Sequence, residues 1–417
     1  MKIRRLSDLF VHHLRSMKVA VIGGGAAGFF AALSIAEHHP GATVVLYEKS
    51  DKVLSKVRIS GGGRCNVTHD EREPRKLAKH YPRGGAFLRK AFKHFNVVDT
   101  IAWFDRHGVA LKVEGDGRMF PTTDDSGTIA QALLRTAIDR GIRVELRSPV
   151  SSVQPADGGY LLSIHGKEVR ADKVIITAGG HSKPEAYQWL AALGHRIEPP
   201  VPSLFTFNMP AEPIRELMGV VVQARVRITG EDLESTGPVL ITHWGLSGPA
   251  VLRLSAWGAR ILHGKDYRFT IQVNWLQGRS EDDLRATFAA EADPMNRKLA
   301  ANADPFKLPK RFWEFQLRKA GIDPEQVWGS VAKKERNRLI DLLTNDRLEV
   351  QGKTTFKEEF VTAGGVALSE VDPDTLQSIR CPGIYFAGEV LDIDGITGGF
   401  NFQAAWTTGF IAGQLRS

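Results

Sequence analysis

Blocks of apolar and polar residues near the N-terminus predict a strand, a tight turn and a helix. Four apolar residues at 19–22 run into a glycine-rich stretch, and residues 29–37 form a helix-favouring run. A second apolar segment, 43–47, ends at Glu48. Strands that alternate with helices over such short spacings indicate a parallel α/β sheet.

The glycines of this first turn have the spacing of a dinucleotide-binding motif. Gly23, Gly25 and Gly28 fill the pattern G-x-G-x-x-G. The first allows the tight turn, the second lets the backbone approach a pyrophosphate, and the third lets the helix lie close to the strand. Glu48 is placed to accept the ribose hydroxyls of an adenosine. An ordinary glycine-rich turn is the alternative, but the order of strand, turn, helix and acid favours the dinucleotide site.

A second glycine stretch lies shortly after the first motif. Three consecutive glycines at 61–63 expose backbone N–H groups, and Arg58 and Arg64 flank them. This combination suits the binding of an anion such as a pyrophosphate, or of a flavin ring. A surface loop is the alternative. The arginines and Asn66 around the glycines favour the binding site.

The rest of the chain changes pattern and then returns to glycine-rich turns. An apolar strand beginning at Lys173 runs into glycines, as expected for a central parallel strand. Alternation typical of strands dominates residues 205–275 and predicts a β-rich, barrel-like unit. A helical pattern follows over residues 280–345. Glycine stretches then recur between residues 362 and 401, which indicates that both ends of the chain build one site.

We therefore expect an α/β fold in which a Rossmann-like, nucleotide-binding domain carries a β-barrel-like insert and a small helical domain. The expected boundaries are 1–16 for a poorly ordered leader, 17–202 with 346–417 for the nucleotide-binding domain, 203–275 for the β-rich domain and 276–345 for the helical domain.

Composition narrows the class of protein. The chain has 417 residues, of which 42% are hydrophobic and 24% charged, as in soluble globular proteins. It has two cysteines, Cys65 and Cys381, which form no CxxC pair and do not have the spacing of metal ligands. So few cysteines favour a protein of the reducing cytoplasm over one held together by disulfides. The apolar run at 19–36 is broken by glycines, so we predict no membrane span.

Together the motifs resemble the bacterial YhiN/BaiN-like flavoprotein family, a branch of the glutathione-reductase-type FAD fold. The resemblance spans nearly the whole chain after Met17. It is carried by residues 22–28, 60–66, 117–121, 242–249, 362–366 and 388–401.

The resemblance implies FAD as the cofactor. The residues that we expect to bind it are Gly23, Gly25, Ala26, Ala27, Gly28, Glu48, Lys49, Arg58, Gly61, Gly62, Gly63, Arg64, Cys65, Asn66, Val150, Ala178, Gly179, Gly180, Gly388, Glu389, Gly398, Gly399, Phe400 and Asn401. In FAD proteins of this architecture an acid in the position of Glu389 meets a ribityl hydroxyl. The helix after Asn401 aims its N-terminus at the flavin pyrimidine edge.

The leading hypothesis for function is an FAD-dependent oxidoreductase that works by hydride transfer at flavin N5. NAD(P)H, if used, would bind transiently, because only one G-x-G-x-x-G motif is present. Cys65 and His243 are the candidate catalytic residues. The alternatives are a buried, space-filling thiol for Cys65 and a structural hydrogen bond for His243.

Two basic segments support a second hypothesis. Residues 72–93 hold eight Lys or Arg and one acid, and residues 297–338 hold eleven Lys or Arg and five acids. Such segments could dock RNA and make the protein a reductase of a base in ribosomal RNA. Solvated basic faces are the ordinary alternative. A flavin-binding module without catalysis is a third hypothesis.

Overall fold

A computed structural model describes residues 16–354 and 361–416. The predicted leader, residues 1–16, lies outside the described residues except for Ser16.

The strands are short and fall into five sheets. They are β1 (Lys18–Ile22), β2 (Thr43–Tyr47), β3 (Thr68–His69), β4 (Leu111–Val113), β5 (Arg118–Pro121), β6 (Arg143–Glu145), β7 (Val150–Ala156), β8 (Gly159–Ile164), β9 (Lys167–Ala171), β10 (Lys173–Ile176), β11 (Ile197–Ser203), β12 (Thr206–Asn208), β13 (Val221–Ile228), β14 (Glu234–Thr242), β15 (Gly245–Ser247), β16 (Arg268–Asn274), β17 (Asp346–Gln351), β18 (Lys353–Thr354), β19 (Val361–Val366) and β20 (Ile384–Phe386).

The helices belong to the nucleotide-binding domain, to the predicted helical region or, in the case of the two helices within residues 249–264, to the core of the barrel. They are α1 (Ala26–His38), α2 (Ser55–Gly63), α3 (Pro74–Leu77), α4 (Gly85–Ala91), α5 (Val97–Arg106), α6 (Ser126–Asp139), α7 (Gln188–Ala192), α8 (Pro249–Trp257), α9 (Ala259–Gly264), α10 (Glu281–Ala290), α11 (Ala292–Met295), α12 (Lys310–Ala320), α13 (Lys333–Thr344) and α14 (Phe400–Gly413).

A five-stranded parallel sheet of order β20-β10-β1-β2-β6 carries the predicted cofactor turns. Helices α1 and α14 pack closely against each other. A Cβ atom added at Gly409 would lie 2.5 Å from the Ala27 carbonyl oxygen, and one at Gly413 would lie 2.4 Å from that of Ala31. Glycine therefore permits this packing, which joins the two ends of the chain in one core.

The β-rich unit is a closed antiparallel arrangement. Its sheet runs β17-β16-β13-β14-β15-β12-β18, and only Gly352 separates β17 from β18. One continuous segment thus pairs with β16 on one side and with β12 on the other. The predicted α/β fold with a barrel-like insert is confirmed.

The structure corrects one expected boundary. Residues 346–354 were assigned to the cofactor domain, but they supply β17 and β18 of the barrel. A second correction concerns residues 362–366, which we expected to form a glycine turn and which form most of β19. Gly364 and Gly365 serve close backbone contacts there, because an added Cβ would lie 2.5 Å from the Pro199 oxygen or 2.4 Å from the Val390 oxygen.

Candidate cofactor-binding and active site

The first glycine turn has the shape that a dinucleotide requires. An added Cβ at Gly28 would lie 1.9 Å from the Gly23 oxygen, so only glycine lets α1 lie this close to β1. An added Cβ at Gly25 would meet no described atom within 4 Å. Helix α1 begins directly after Gly25 without a side-chain cap or an acid in its first turn. The open space and the uncapped N-terminus fit a pyrophosphate.

Glu48 lies beside this turn, at the end of β2. Its Oε2 atom accepts a 2.8 Å hydrogen bond from the Gly24 N–H, and its Oε1 atom accepts one of 2.8 Å from the Ser50 N–H. Each carboxylate oxygen can accept more than one hydrogen bond. Glu48 therefore fixes the turn and retains capacity for a ribose hydroxyl.

A cavity of about 150 Å³ opens next to Glu48. It brings together predicted site residues from four separate stretches, namely Gly23, Glu48, Lys49, Val150, Ala178 and Gly179. His181 and Tyr187 also line it, and the Tyr187 hydroxyl accepts a 2.9 Å hydrogen bond from the His181 N–H. Sequence reasoning missed these two residues, which lie just after the glycines at 179–180 and in the helical stretch that begins at Pro184. The cavity therefore adjoins the carboxylate that we expected to bind the ribose of an adenosine.

The second glycine stretch interrupts α2. Gly61 and Gly62 take left-handed backbone conformations (φ +59° and +70°), and a Cβ added at Gly62 or Gly63 would meet no described atom within 4 Å. Arg64 is engaged elsewhere, since its Nη1 atom lies 2.6 Å from Glu114 Oε1 and its guanidinium lies over the Phe120 ring. Arg58 is exposed on α2. The stretch thus presents open backbone, while Arg64 is held by Glu114.

Glu389 lies shortly after β20, the strand that pairs with β10 at the edge of the parallel sheet. Its Oε1 atom accepts a 2.8 Å hydrogen bond from the Thr362 N–H, and its Oε2 atom lies 2.6 Å from Lys56 Nζ. A Cβ at Gly180 would lie 2.5 Å from Glu389 Oε1. The Thr362 hydroxyl is buried and has no hydrogen-bond partner among residues 16–354 and 361–416. Buried hydroxyls are normally paired, so this oxygen fits a polar ligand such as a ribityl chain.

Lys56 and Thr362 were not among the predicted site residues. Both stand at the edge of a glycine stretch, and that position is the signal that could have identified them.

The turn before α14 is held by two amides. Asn401 accepts from the Gly395 N–H at 2.8 Å and donates to its carbonyl at 3.0 Å. The Asn66 amide, oriented to satisfy both of its groups, accepts from the Gly399 N–H and donates to the Thr68 oxygen, each at 3.0 Å. Gly398 and Gly399 have positive φ values, as the turn requires. Asn66 thus joins the N-terminus of α14 to the end of the second glycine stretch.

The Phe400 ring packs against two histidines at this N-terminus, and their rings also contact each other. Ring centroids are 4.6 Å apart for His69 and 4.4 Å apart for His80. Burial lowers the pKa of both imidazoles. Sequence reasoning missed both histidines, although His69 stands three residues after Asn66.

The two candidate catalytic residues differ in their surroundings. Cys65 is completely buried, and burial raises the pKa of its thiol to about 12. This environment favours the packing alternative, because a thiol with so high a pKa is a poor acid near neutral pH. His243 is exposed in the turn between β14 and β15, with its ring against Trp244.

Fold and turns together define a Rossmann-type dinucleotide-binding protein. A family model described as "HI0933-like protein Rossmann domain" matches residues 17–415, and the chain belongs to that family. The expected class, a flavoprotein oxidoreductase of the YhiN/BaiN-like type, is confirmed.

Two relatives match nearly end to end. A 3-dehydro-bile acid delta(4,6)-reductase of Clostridium scindens is 28% identical over 407 residues, which are 95% of this chain and 98% of the relative. A ribosomal RNA dihydrouridine synthase of Escherichia coli is 30% identical over 404 residues, which are 94% of this chain and 96% of the relative.

Within residues 16–354 and 361–416, no group of His, Cys, Asp and Glu side chains could hold a metal ion. In the same ranges, no helix is both long and apolar enough to cross a bilayer.

Proposed function

We propose that this protein is an FAD-dependent oxidoreductase that reduces a carbon–carbon double bond of its substrate. The observation that carries the proposal is the open space around Gly25, at the uncapped N-terminus of α1, where a pyrophosphate would fit. The names of the two relatives support the direction of the reaction. One is called a reductase, and the other makes dihydrouridine, the reduced form of uridine.

FAD, when bound, supplies hydride transfer at its N5 atom. The residues of this chain supply binding and orientation. The turn from Gly23 to Gly28 would hold the pyrophosphate, and Glu48 the adenosine ribose. Thr362 and Glu389 would hold the ribityl chain. The positive end of the α14 dipole would stabilise negative charge at the pyrimidine edge.

The donor of electrons in this proposal is NAD(P)H. The single G-x-G-x-x-G motif supports transient binding near the flavin rather than a dedicated nicotinamide domain. A cytoplasmic location stays a prediction from the use of cysteine.

A substitution that fills the open space around Gly25 tests the proposal. Gly25→Val adds a side chain where no described protein atom lies within 4 Å, at a residue with an ordinary φ of −90°. We expect the folded protein to lose FAD affinity by roughly tenfold or more, or about 1.4 kcal/mol. The measurement is flavin absorbance per protein after reconstitution with FAD, with circular dichroism to verify folding.

Gly41→Val is the matched control, because Gly41 is also exposed and an added Cβ there meets nothing within 4 Å. It should bind FAD like the wild type. Equal FAD affinity in the wild type and Gly25→Val would remove the main support for the proposal. Bleaching of the flavin by NADPH under anaerobic conditions tests the electron donor separately.

A reductase acting on a base in RNA is the second candidate, supported by the name of the Escherichia coli relative and by exposed basic side chains on and beside α3. These are Arg72, Arg75, Lys76 and Lys79. Not every basic residue of the two segments is free for RNA, since Arg83 pairs with buried Asp394 and Lys319 with buried Asp346. Flavin bleaching by NADPH only when ribosomal RNA is present, together with salt-dependent binding of that RNA, would favour this candidate.

A further inference from the structure

We infer that the turn formed by residues 181–187 is a pH-dependent wall of the cavity beside Glu48, which holds FAD while the His181 ring is neutral and loosens when that ring is protonated. The inference rests on the proposed function, because it concerns retention of the FAD that this function requires. The 181–187 turn lies outside the glycine motifs that we expected to bind the cofactor.

Two hydrogen bonds close the 181–187 turn. The His181 N–H donates to the Tyr187 hydroxyl at 2.9 Å, and the Lys183 N–H donates to His181 Nδ1 at 3.2 Å. A backbone N–H is only a donor, so Nδ1 is the acceptor and the proton of the neutral ring lies on Nε2. A protonated ring carries a proton on both nitrogens and cannot accept this hydrogen bond. Protonation of His181 therefore breaks one of the two hydrogen bonds that close the turn.

The 181–187 turn borders both proposed parts of the FAD site. His181 lines the cavity that also contains Glu48. Gly180, directly before the turn, lies against the groups proposed for the ribityl chain, since an added Cβ would lie 2.5 Å from Glu389 Oε1 and 2.6 Å from Thr362 Oγ1. A movement of the turn would therefore change the fit of the cofactor in both places.

Tyr187 anchors the far end of the turn. Its side chain is buried in the core under the parallel sheet, and burial raises the pKa of its hydroxyl to about 12. This hydroxyl therefore stays protonated wherever an imidazole titrates. His181 is half-buried, and it is the side chain within residues 181–187 whose type titrates between pH 5 and 8.

The surroundings of His181 favour its neutral form. Burial lowers the pKa of the ring, and the charges of Lys49 and Lys183 lower it further, whereas a contact with the Lys183 backbone and the charge of Glu185 raise it by less. Glu48 lines the same cavity, but its carboxylate already accepts hydrogen bonds from two backbone N–H groups. The ring is therefore neutral at neutral pH, where the turn is closed.

FAD binding is thereby linked to the protonation of His181. If FAD binds the closed turn, it selects the neutral ring, so FAD affinity is full above the pKa of that ring and falls as the pH drops through it. The loss of one hydrogen bond between neutral groups corresponds to a change in affinity of roughly fivefold.

The experiment is equilibrium dialysis of the FAD-loaded, full-length protein against known concentrations of FAD at pH 8 and at pH 5, with circular dichroism at both pH values to verify folding. We expect the wild type to bind FAD roughly fivefold more weakly at pH 5. His181→Asn should bind FAD equally at both pH values, because an Asn oxygen can accept the N–H two residues on and does not titrate. His181→Leu lacks the acceptor and should show the weaker affinity at both pH values.

His263→Asn is the matched control. His263 is an exposed histidine of α9 in the barrel, where its Nδ1 atom lies 3.0 Å from the Tyr267 hydroxyl. This variant should keep the pH dependence of the wild type. Equal FAD affinity of the wild type at the two pH values, or a pH dependence that persists in His181→Asn, would overturn the inference.

Failure of the proposed function is read separately, from the anaerobic bleaching of the bound flavin by NADPH at pH 8. A protein whose FAD affinity depends on pH through His181, but whose flavin is not bleached, would contradict the NADPH-linked function alone. A protein whose flavin is bleached, but whose FAD affinity is the same at both pH values, would contradict the inference alone.

Discussion

Cys65 shows how the surroundings of one side chain decide its chemistry. It follows the second glycine stretch, has a positive φ of 62°, and is completely buried. The thiolate is the reactive form of cysteine, and a pKa of about 12 keeps this thiol protonated at any pH where the fold is ordinarily studied. Cys381 is partly exposed, although burial also raises the pKa of its thiol.

This difference predicts the pattern of thiol labelling. At pH 8 an aromatic disulfide reagent should modify Cys381 in the native protein and leave Cys65 unmodified, whereas both react after unfolding in urea. Cys381→Ser should abolish labelling of the native protein. Rapid labelling of Cys65 in that variant would show that the glycine stretch opens, and would restore Cys65 as a candidate proton donor.

Residues whose role is set by the local backbone could be predicted from sequence. Gly28 is one, because its close contact is with Gly23 in the same turn. Residues whose role depends on a distant partner could not. Arg64 meets Glu114, and Arg83 meets Asp394, although neither pair is close in the sequence. No local pattern encodes such a pairing.

At the scale of elements, a buried ion pair joins the segment before α4 to the turn before α14. Asp394 is completely buried. Its carboxylate pairs with the Arg83 guanidinium and accepts a hydrogen bond from the Ser203 hydroxyl. Two residues away, Asp392 pairs with the exposed Arg260. The two acids allow a comparison of a buried and a surface ion pair within one turn.

We expect Asp394→Asn to lower the free energy of unfolding by about 3–5 kcal/mol, because it leaves the Arg83 charge buried without a counterion. Asp392→Asn should cost about 0–1 kcal/mol, as usual for a surface pair. Urea unfolding followed by circular dichroism measures both. Equal losses in the two variants would mean that Arg83 gains its stabilisation from the Ala256 carbonyl rather than from Asp394.

The sequence can indicate where a strand lies, but it does not indicate which strand is its neighbour in the sheet. Leu348 and Val350 alternate with polar residues, and this sequence pattern is typical of a strand. The structure shows the same alternation between buried and exposed side chains over residues 346–351. Pairing is non-local, however, and β17 joins β16 across the whole helical region. The expected boundary at 346 failed for that reason. We now propose that the insert runs to residue 354.

At the scale of the whole molecule, the apolar cores suggest separate folding units. Buried residues of the barrel form one cluster and those of the helical region another, and both are distinct from the cluster under the parallel sheet. Thr206 pairs with Thr354, so the insert begins and ends at neighbouring strands. Lys319 and Trp275 both bind buried Asp346 of β17, which ties the helical region to the barrel.

We therefore predict that residues 204–354, expressed alone, fold into a unit with strands, helices and a cooperative unfolding transition. The matched control is a fragment of residues 204–345, which ends at the boundary expected from sequence. It lacks β17 and β18, so β16 becomes an open edge and Lys319 loses its acid. Circular dichroism and urea unfolding should show a cooperative transition for the longer fragment and none for the shorter one. If both fragments fold equally well, the barrel does not need its closing segment, and the domain boundary proposed at residue 354 is wrong.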